Sequence, residues 1–206
     1  MQNRKREFKE LGIVSAFILF AITIIVTALL AGVDQFTEPV ISQHQVEEAE
    51  ISHEHVFEDA VTFTDRSAEL LKDHDDKRVV TVFDALDEDG KVIGVVLETL
   101  AAGYGGDVKV MTGISPELEI VGLEVVSNTE TPGLGTKITE ESFMGRFIGK
   151  TPGVKFSLKT EDSDMTHIDA LTGATLSSRA VVNAVNRALD FASDNMDTIL
   201  AGGDSQ

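Results

Sequence analysis

An uninterrupted apolar run near the N-terminus is the strongest pattern along the chain. Residues 11–33 carry no charged side chain, and only Ser15, Thr23 and Thr27 place a hydroxyl among them. As a helix that rises about 1.5 Å per residue, the run would be roughly 34 Å long, enough to cross the apolar core of a bilayer. The pattern therefore predicts one transmembrane helix at 11–33, preceded by a short tail of residues 1–10.

The pattern after this run predicts a helical connector and then a folded domain. Residues 40–71 are rich in Glu and His and poor in Gly and Pro, which predicts one or two amphipathic helices that lead away from the membrane. Two pairs of strands and then helices follow. We predict strands at 79–83, 92–97, 108–114 and 119–126, a short helix at 140–148, an edge strand at 154–158 and a helix at 178–191. This order is typical of an α+β domain with a mostly antiparallel sheet and flanking helices, here at 78–206, after a helical connector at 34–77.

The charges around the apolar run predict its orientation. Arg4, Lys5, Arg6 and Lys9 precede it, and basic residues beside a span favour the cytoplasmic side. We therefore expect a cytoplasmic N-terminus and a domain on the extracytoplasmic side of an inner or plasma membrane. A cleaved signal peptide is the alternative, but its apolar region is usually about 7–15 residues long and ends in an Ala-x-Ala-like site. Residues 29–32, which read Leu-Leu-Ala-Gly, do not supply that site.

The overall composition excludes several classes of function. The chain has 17 basic and 35 acidic residues and a net charge of −18, whereas nucleic-acid binding requires clustered Lys and Arg. It has no cysteine, so thiolate-bound iron–sulfur clusters, disulfides and zinc ribbons are excluded. No metal site is expected either, because His53 and His55 occupy alternate positions that point apart on a helix.

Three glycine-containing loops are the candidate chemical features of the domain. They are residues 103–106 (Gly-Tyr-Gly-Gly), 130–135 (Glu-Thr-Pro-Gly-Leu-Gly) and 169–178 (Asp-Ala-Leu-Thr-Gly-Ala-Thr-Leu-Ser-Ser). The third runs into the predicted C-terminal helix, so Thr175 lies at a helix N-terminus, where free N–H groups and the helix dipole favour a phosphate. An ordinary N-cap by Ser or Thr explains the same residues, and these residues taken alone favour that simpler interpretation.

In order and spacing, the three loops resemble those of the FMN-binding domain family. Residues 169–181 are similar to the family's flavinylation motif, in which Asp precedes Ser/Thr-Gly-Ala-Thr and then Ser/Thr-Ser. The resemblance implies that Thr175 holds FMN covalently through a phosphoester, as an attachment point and not as a catalytic residue. Because a hydroxyl is a poor nucleophile, it also implies a separate flavin transferase. The residues it implies for FMN binding are Tyr104, Glu130, Thr131, Leu134, Gly135, Asp169, Thr172, Gly173, Ala174, Thr175, Leu176, Ser177 and Ser178.

Within that family, the pattern resembles the subunits that serve membrane-bound, Rnf-type ion-translocating ferredoxin:NAD oxidoreductases. The related sodium-pumping NADH:quinone reductases contain a similar subunit, but here the loop at 103–106 leads directly into a Val-Lys-Val strand without a bulky insert. The resemblance implies an electron carrier that works beside other membrane and peripheral subunits and in contact with membrane lipid, without turnover of its own. Asn128 departs from the pattern, because many relatives have a histidine there. The alternative function is an anchored extracytoplasmic binding or sensor module for a dissociable phosphorylated ligand.

Overall fold

The computed structural model describes residues 18–24, 27, 53, 55–72 and 74–202. The chain divides into two compact units, Met1–Glu47 and Glu48–Gln206. In the first unit, residues 18–24 are helical and the large apolar side chains of Ile18, Leu19 and Phe20 are exposed. None of the helices in the described ranges has the length and apolarity of a membrane span. Most of the predicted transmembrane segment, and all of the tail at 1–10, lies outside the described residues.

A five-stranded antiparallel meander forms the centre of the second unit. Its strands are β1 (Thr62–Asp65), β2 (Val79–Leu86), β3 (Val92–Ala102), β4 (Asp107–Ile114) and β5 (Ile120–Ser127), and they lie in that order across the sheet. Each strand pairs antiparallel with the next one along the chain. Valine and isoleucine dominate β2 to β5, as expected where branched side chains pack on a pleated surface. Together with the helices described next, this sheet confirms the prediction of an α+β domain.

Short elements and one long helix complete the unit. They are α1 (Ser67–Leu70), a 3₁₀ helix (Gly135–Thr139), α2 (Glu141–Met144), a parallel pair formed by β6 (Phe156–Ser157) and β7 (Thr166–His167), and α3 (Thr175–Gly202). Helix α3 has 28 residues and extends beyond the predicted 178–191 at both ends. It begins earlier because Ser178 lies inside the first turn, where its N–H donates to the carbonyl of Ala174 at 2.9 Å. It ends later because Met196 and Ile199 continue the buried stripe.

The main hydrophobic core lies between one face of the sheet and α3. Val82, Leu97 and Val110 from the sheet are buried against a helix stripe that includes Val181 and Val185. Their spacing on α3 brings one side of the helix to the sheet at each turn. Burying a side chain of this size contributes about 1.5–3 kcal/mol relative to leaving it exposed. The packing therefore fixes the start of α3 beside the loops that follow β3 and β5.

Strand β1 corrects one part of the prediction that residues 40–71 are helical, of which residues 40–52 and 54 lie outside the described residues. Residues 62–65 pair with β2, with Thr62 opposite Leu86 and Asp65 opposite Phe83. Directly before β1, Val56 packs with Val96 and Met111 on the face of the sheet opposite α3. The described part of the predicted connector at 34–77 is therefore built into the domain. The pattern is uninformative here because a four-residue strand is shorter than the window that separates helical from strand periodicity.

A partly buried ion pair links β2 to Arg66, the residue that precedes α1. Arg66 Nη1 donates to Asp84 Oδ2 at 2.7 Å, and Asp84 is buried on the central part of β2. Burial raises the pKa of the Asp84 carboxyl above its ordinary value, while the Arg66 charge acts in the opposite direction. Hydrogen bonding to Glu69 raises the pKa of Arg66, which stays charged. The pair orients α1 on the sheet, on elements separate from the three glycine loops.

Candidate functional site

A cavity of about 420 Å³ opens where the three glycine loops meet at the N-terminal end of α3. Its volume is within the range of about 300–1,000 Å³ that is typical of small-molecule sites. The residues that line it are Tyr104, Glu130, Thr131, Leu134, Gly135, Gly173, Ala174, Leu176 and Ser177. Each of these residues is among those that the sequence singles out, so the fold brings the three motifs to one place.

The Glu130 carboxylate joins the three loops. Its Oε1 accepts hydrogen bonds from the backbone N–H groups of Tyr104 at 2.7 Å and Gly105 at 3.1 Å. Its Oε2 accepts from the Ser177 hydroxyl at 2.6 Å, in the first turn of α3. Glu130 is only 5% exposed. The sequence predicts Glu130 as part of the cofactor wall but does not reveal this tie between loops.

Two glycines are needed for the approach of the loops to Glu130. A Cβ on Gly103 would collide with Glu130 Oε1, and one on Gly135 would lie 2.7 Å from Oε2 and 2.8 Å from the Ser177 hydroxyl. Real Cβ atoms do not approach other heavy atoms this closely, so either side chain would push the loops apart. Gly103 and Gly135 therefore make room for the carboxylate and do not merely form turns.

The last loop is held against α3 by Ser178. Its buried hydroxyl accepts from the N–H of Leu171 at 3.0 Å and donates to the carbonyl of Ala174 at 3.0 Å. Between them, Gly173 has a φ of +79°, a left-handed conformation that favours glycine. Ala174 is buried. This arrangement directs the loop straight into the first turn of the helix, where the leading N–H groups have no carbonyl partner within the helix.

The hydroxyl groups at this helix start differ in accessibility. Those of Ser177 and Ser178 are buried and hydrogen-bonded, to Glu130 and to the backbone of the loop respectively. Thr175, the first residue of α3, is exposed, and so is Thr172 in the loop before it. Within the part of the chain that the structure describes, the Thr175 hydroxyl makes no hydrogen bond. Thr175 thus offers a free hydroxyl directly at the positive end of the helix.

Large apolar side chains surround the cavity and remain open to solvent. Tyr104 is 72% exposed, Leu176 is 48% exposed and Leu134 is 43% exposed. Exposed apolar side chains that converge around a cavity are typical of a surface that binds an aromatic or apolar group. The Tyr104 ring is available to stack on a bound ring and is not packed in the core.

Asp169 and Asn128 lie outside the cavity lining. The Asp169 side chain is 86% exposed and lies 3.2 Å from His167 Nε2, while its carbonyl oxygen accepts from Arg146 Nη1 at 2.6 Å. Thr172, Thr175 and Ser178 are likewise adjacent to the lining residues and not among them. Asn128 supports Glu130 instead, because its side-chain oxygen accepts from the Glu130 N–H at 3.2 Å.

Comparisons with known proteins identify the family of this chain. Residues 103–190 match the model of the FMN-binding domain family, a range that contains all three glycine loops. The G subunit of the ion-translocating oxidoreductase complex of Methanosarcina acetivorans is 31% identical over 180 residues, which cover 85% of this chain and 91% of the relative. The G subunit of the proton-translocating ferredoxin:NAD(+) oxidoreductase complex of Clostridium ljungdahlii is 30% identical over 162 residues, with 79% and 81% covered. Among solved structures, NqrC of Shewanella oneidensis is similar at a TM-score of 0.45 and 20% identity over 73% of this chain and 74% of that one, a likeness too low to bear on the site.

The match over residues 103–190 identifies an FMN-binding domain in this chain. Because the similarity to these subunits extends over most of both chains, the chain belongs to the family of G subunits of ion-translocating oxidoreductase complexes. The resemblance deduced from the three loops is therefore confirmed at the level of the family.

Proposed function

We propose that this chain is an electron-carrier subunit that holds FMN on Thr175 in a membrane-bound ion-translocating ferredoxin:NAD oxidoreductase. The observation that carries the proposal is the free, exposed hydroxyl of Thr175 beside the cavity at the start of α3. When bound, the flavin supplies the ability to accept one or two electrons. The chain's own residues attach it, orient it and shape its surroundings.

The residues at the helix start fit the phosphate end of FMN. The leading N–H groups of α3 and the helix dipole favour an anion at that point, although the lining includes no Lys or Arg. Attachment would form a bond between the Thr175 hydroxyl oxygen and the phosphorus of the FMN moiety and break the bond between that phosphorus and the leaving group of a flavin nucleotide donor, which carries away the hydroxyl proton. Ser177 and Ser178 do not compete, because their hydroxyls are buried and engaged. The Thr175 hydroxyl makes no hydrogen bond to a base among the described residues, so we infer that a separate flavin transferase activates the donor.

The cavity fits the ring end of FMN. Tyr104, Leu134 and Leu176 offer large exposed apolar surfaces around it, and Glu130 and Thr131 place polar groups on the same wall. A planar aromatic ring system is well matched by such a mixed lining. We infer that the loops at 103–106 and 130–135 hold the ring, while the start of α3 holds the phosphate.

Mass spectrometry of the purified chain tests this proposal. After production with a flavin transferase, we expect the intact mass to increase by FMN less one water, and the peptide that contains Thr175 to carry the increase. Flavin fluorescence should stay with the denatured band on a gel, because a phosphoester survives unfolding. A chain that releases all of its flavin on denaturation would instead support the alternative, a binding or sensor module with a dissociable phosphorylated ligand.

We also propose that the domain lies on the extracytoplasmic side of the membrane, anchored by one span at 11–33. The support is the basic group that precedes an uncharged run in the sequence. Because the chain has no cysteine, single cysteines can report the topology. In intact cells, a membrane-impermeant maleimide should label Ser163→Cys, in an exposed turn, whereas Asn3→Cys should react only after lysis. Labelling of Asn3→Cys alone would show the opposite orientation.

A further inference from the structure

Glu130 joins the three loops, but this structural role does not explain why the residue is one that can carry a negative charge. Three donors approach the carboxylate, two backbone N–H groups on Oε1 and the Ser177 hydroxyl on Oε2. An ionised carboxylate is acceptor-only, which matches the two backbone N–H donors on Oε1, and the 2.6 Å between the Ser177 hydroxyl and Oε2 is in the range of charge-assisted bonds. The position beside the first turn of α3 further favours the negative charge.

This charge has no cationic partner among the described residues. The ion pairs of the described region involve other carboxylates, such as that of Glu98 with Lys109 at 3.0 Å. Glu130 is instead compensated by neutral donors, so its net charge remains next to the cavity that it lines. A buried charge acts over several ångströms with little screening, because the local dielectric is well below that of water. Any group that gains negative charge inside the cavity is therefore disfavoured by Glu130.

We propose that Glu130 is a positioning residue that also sets the reduction potential of the flavin, by making electron uptake less favourable. This inference rests on the proposed function. The same carboxylate that ties the loops at 103–106 and 130–135 to α3 places a fixed negative charge in the wall of the site. This charge makes the reduction potential of the flavin lower than it would be in a site of the same shape without the charge.

Glu130→Gln removes the negative charge but can keep the hydrogen bonds that join the loops. The amide oxygen can accept from Tyr104 and Gly105 as Oε1 does, and the amide nitrogen can donate to the Ser177 hydroxyl, which then reverses its role. The probe is the covalently bound flavin itself, titrated in the purified flavinylated chain. We expect the equilibrium constant for two-electron reduction to rise at least about tenfold, which is a shift of about 30 mV upward.

Glu117→Gln is the matched control. It removes the same charge from an exposed residue in the turn between β4 and β5. That turn is separated from the loop at 103–106 by the eight residues of β4, roughly 26 Å of extended strand. The potential of this variant should equal that of the wild type. An unshifted potential in flavinylated Glu130→Gln, or an equal upward shift in Glu117→Gln, would overturn the inference.

Ser177→Ala provides a second measurement should Glu130→Gln fail to fold or to accept flavin. It keeps the charge but removes the donor that disperses it, so the potential should fall. A rise or an unchanged potential in Ser177→Ala would contradict the charge effect. A wild-type chain without any flavin would overturn the proposed function itself, whereas flavinylated variants with unshifted potentials would overturn only the role of Glu130.

Discussion

Replacing Thr175 with alanine is expected to abolish covalent flavin completely while leaving the domain folded. Thr175 carries the exposed, unbonded hydroxyl at the start of α3, and the neighbouring hydroxyls of Ser177 and Ser178 are buried and occupied. Neither of these serines can therefore replace it. Alanine is the most favourable residue in a helix, and at an exposed first position it should change the free energy of unfolding by less than about 0.5 kcal/mol. The measurement is flavin absorbance after denaturation and removal of free flavin.

Thr172→Ala is the matched control for this prediction. Thr172 is also an exposed threonine, three positions earlier and outside the helix, so its loss should leave flavin content unchanged. Thr175→Ser keeps a hydroxyl at the same position and should retain covalent flavin in part or in full. Equal flavin in the wild type and Thr175→Ala, or loss in Thr172→Ala alone, would place the attachment point elsewhere.

The central sheet could be predicted from the sequence because its strands are long and locally connected. The predicted strands at 79–83, 92–97, 108–114 and 119–126 correspond to β2 to β5, each of which extends beyond its prediction at one end, while β5 also begins one residue later than predicted. Alternating and β-branched residues broken by short turns leave few other interpretations. A meander in which each strand pairs with the next requires no further information about topology.

Strand β1 and the residues before it could not be predicted in the same way. The four residues of β1 include the strand formers Thr62, Phe63 and Thr64, but a run this short is fixed as a strand only by its pairing with β2. Val56 and Phe57 likewise find their place only on the assembled face of the sheet. The start of α3 differs from its prediction for a related reason, since Ser178 is buried within the first turn and does not begin the helix.

In the site as well, the sequence predicts which residues take part but not the contacts between them. The sequence indicates the three loops and the hydroxyl at the helix start, because glycine, threonine and serine there follow a recognisable spacing. It does not show that Glu130 joins them, since its partners Tyr104 and Ser177 are 26 and 47 positions away along the chain. The need for Gly103 beside this carboxylate is equally invisible until the loops are brought together.

The isolated, flavinylated chain is expected to show a reversible flavin spectrum but negligible steady-state oxidation of NADH or ferredoxin. Its sequence contains no Gly-x-Gly-x-x-Gly motif of the kind that binds nicotinamide dinucleotides after a strand. It also contains no cysteine, so it cannot hold a thiolate-bound iron–sulfur cluster that would receive single electrons. Electrons must therefore enter and leave through cofactors of neighbouring subunits, which we propose are those of the membrane complex.

The assay is steady-state turnover with NADH and an artificial acceptor, compared between the isolated chain and the intact membrane complex at equal flavin content. The isolated chain should give a rate close to that of Thr175→Ala, which lacks the carrier, although dithionite and air should reduce and reoxidise its flavin fully. In the complex, Thr175→Ala should stop electron transfer, because the remaining cofactors are then separated by the gap that this subunit fills. A rate for the isolated chain that matches the complex would make it an autonomous dehydrogenase and would contradict the role of carrier.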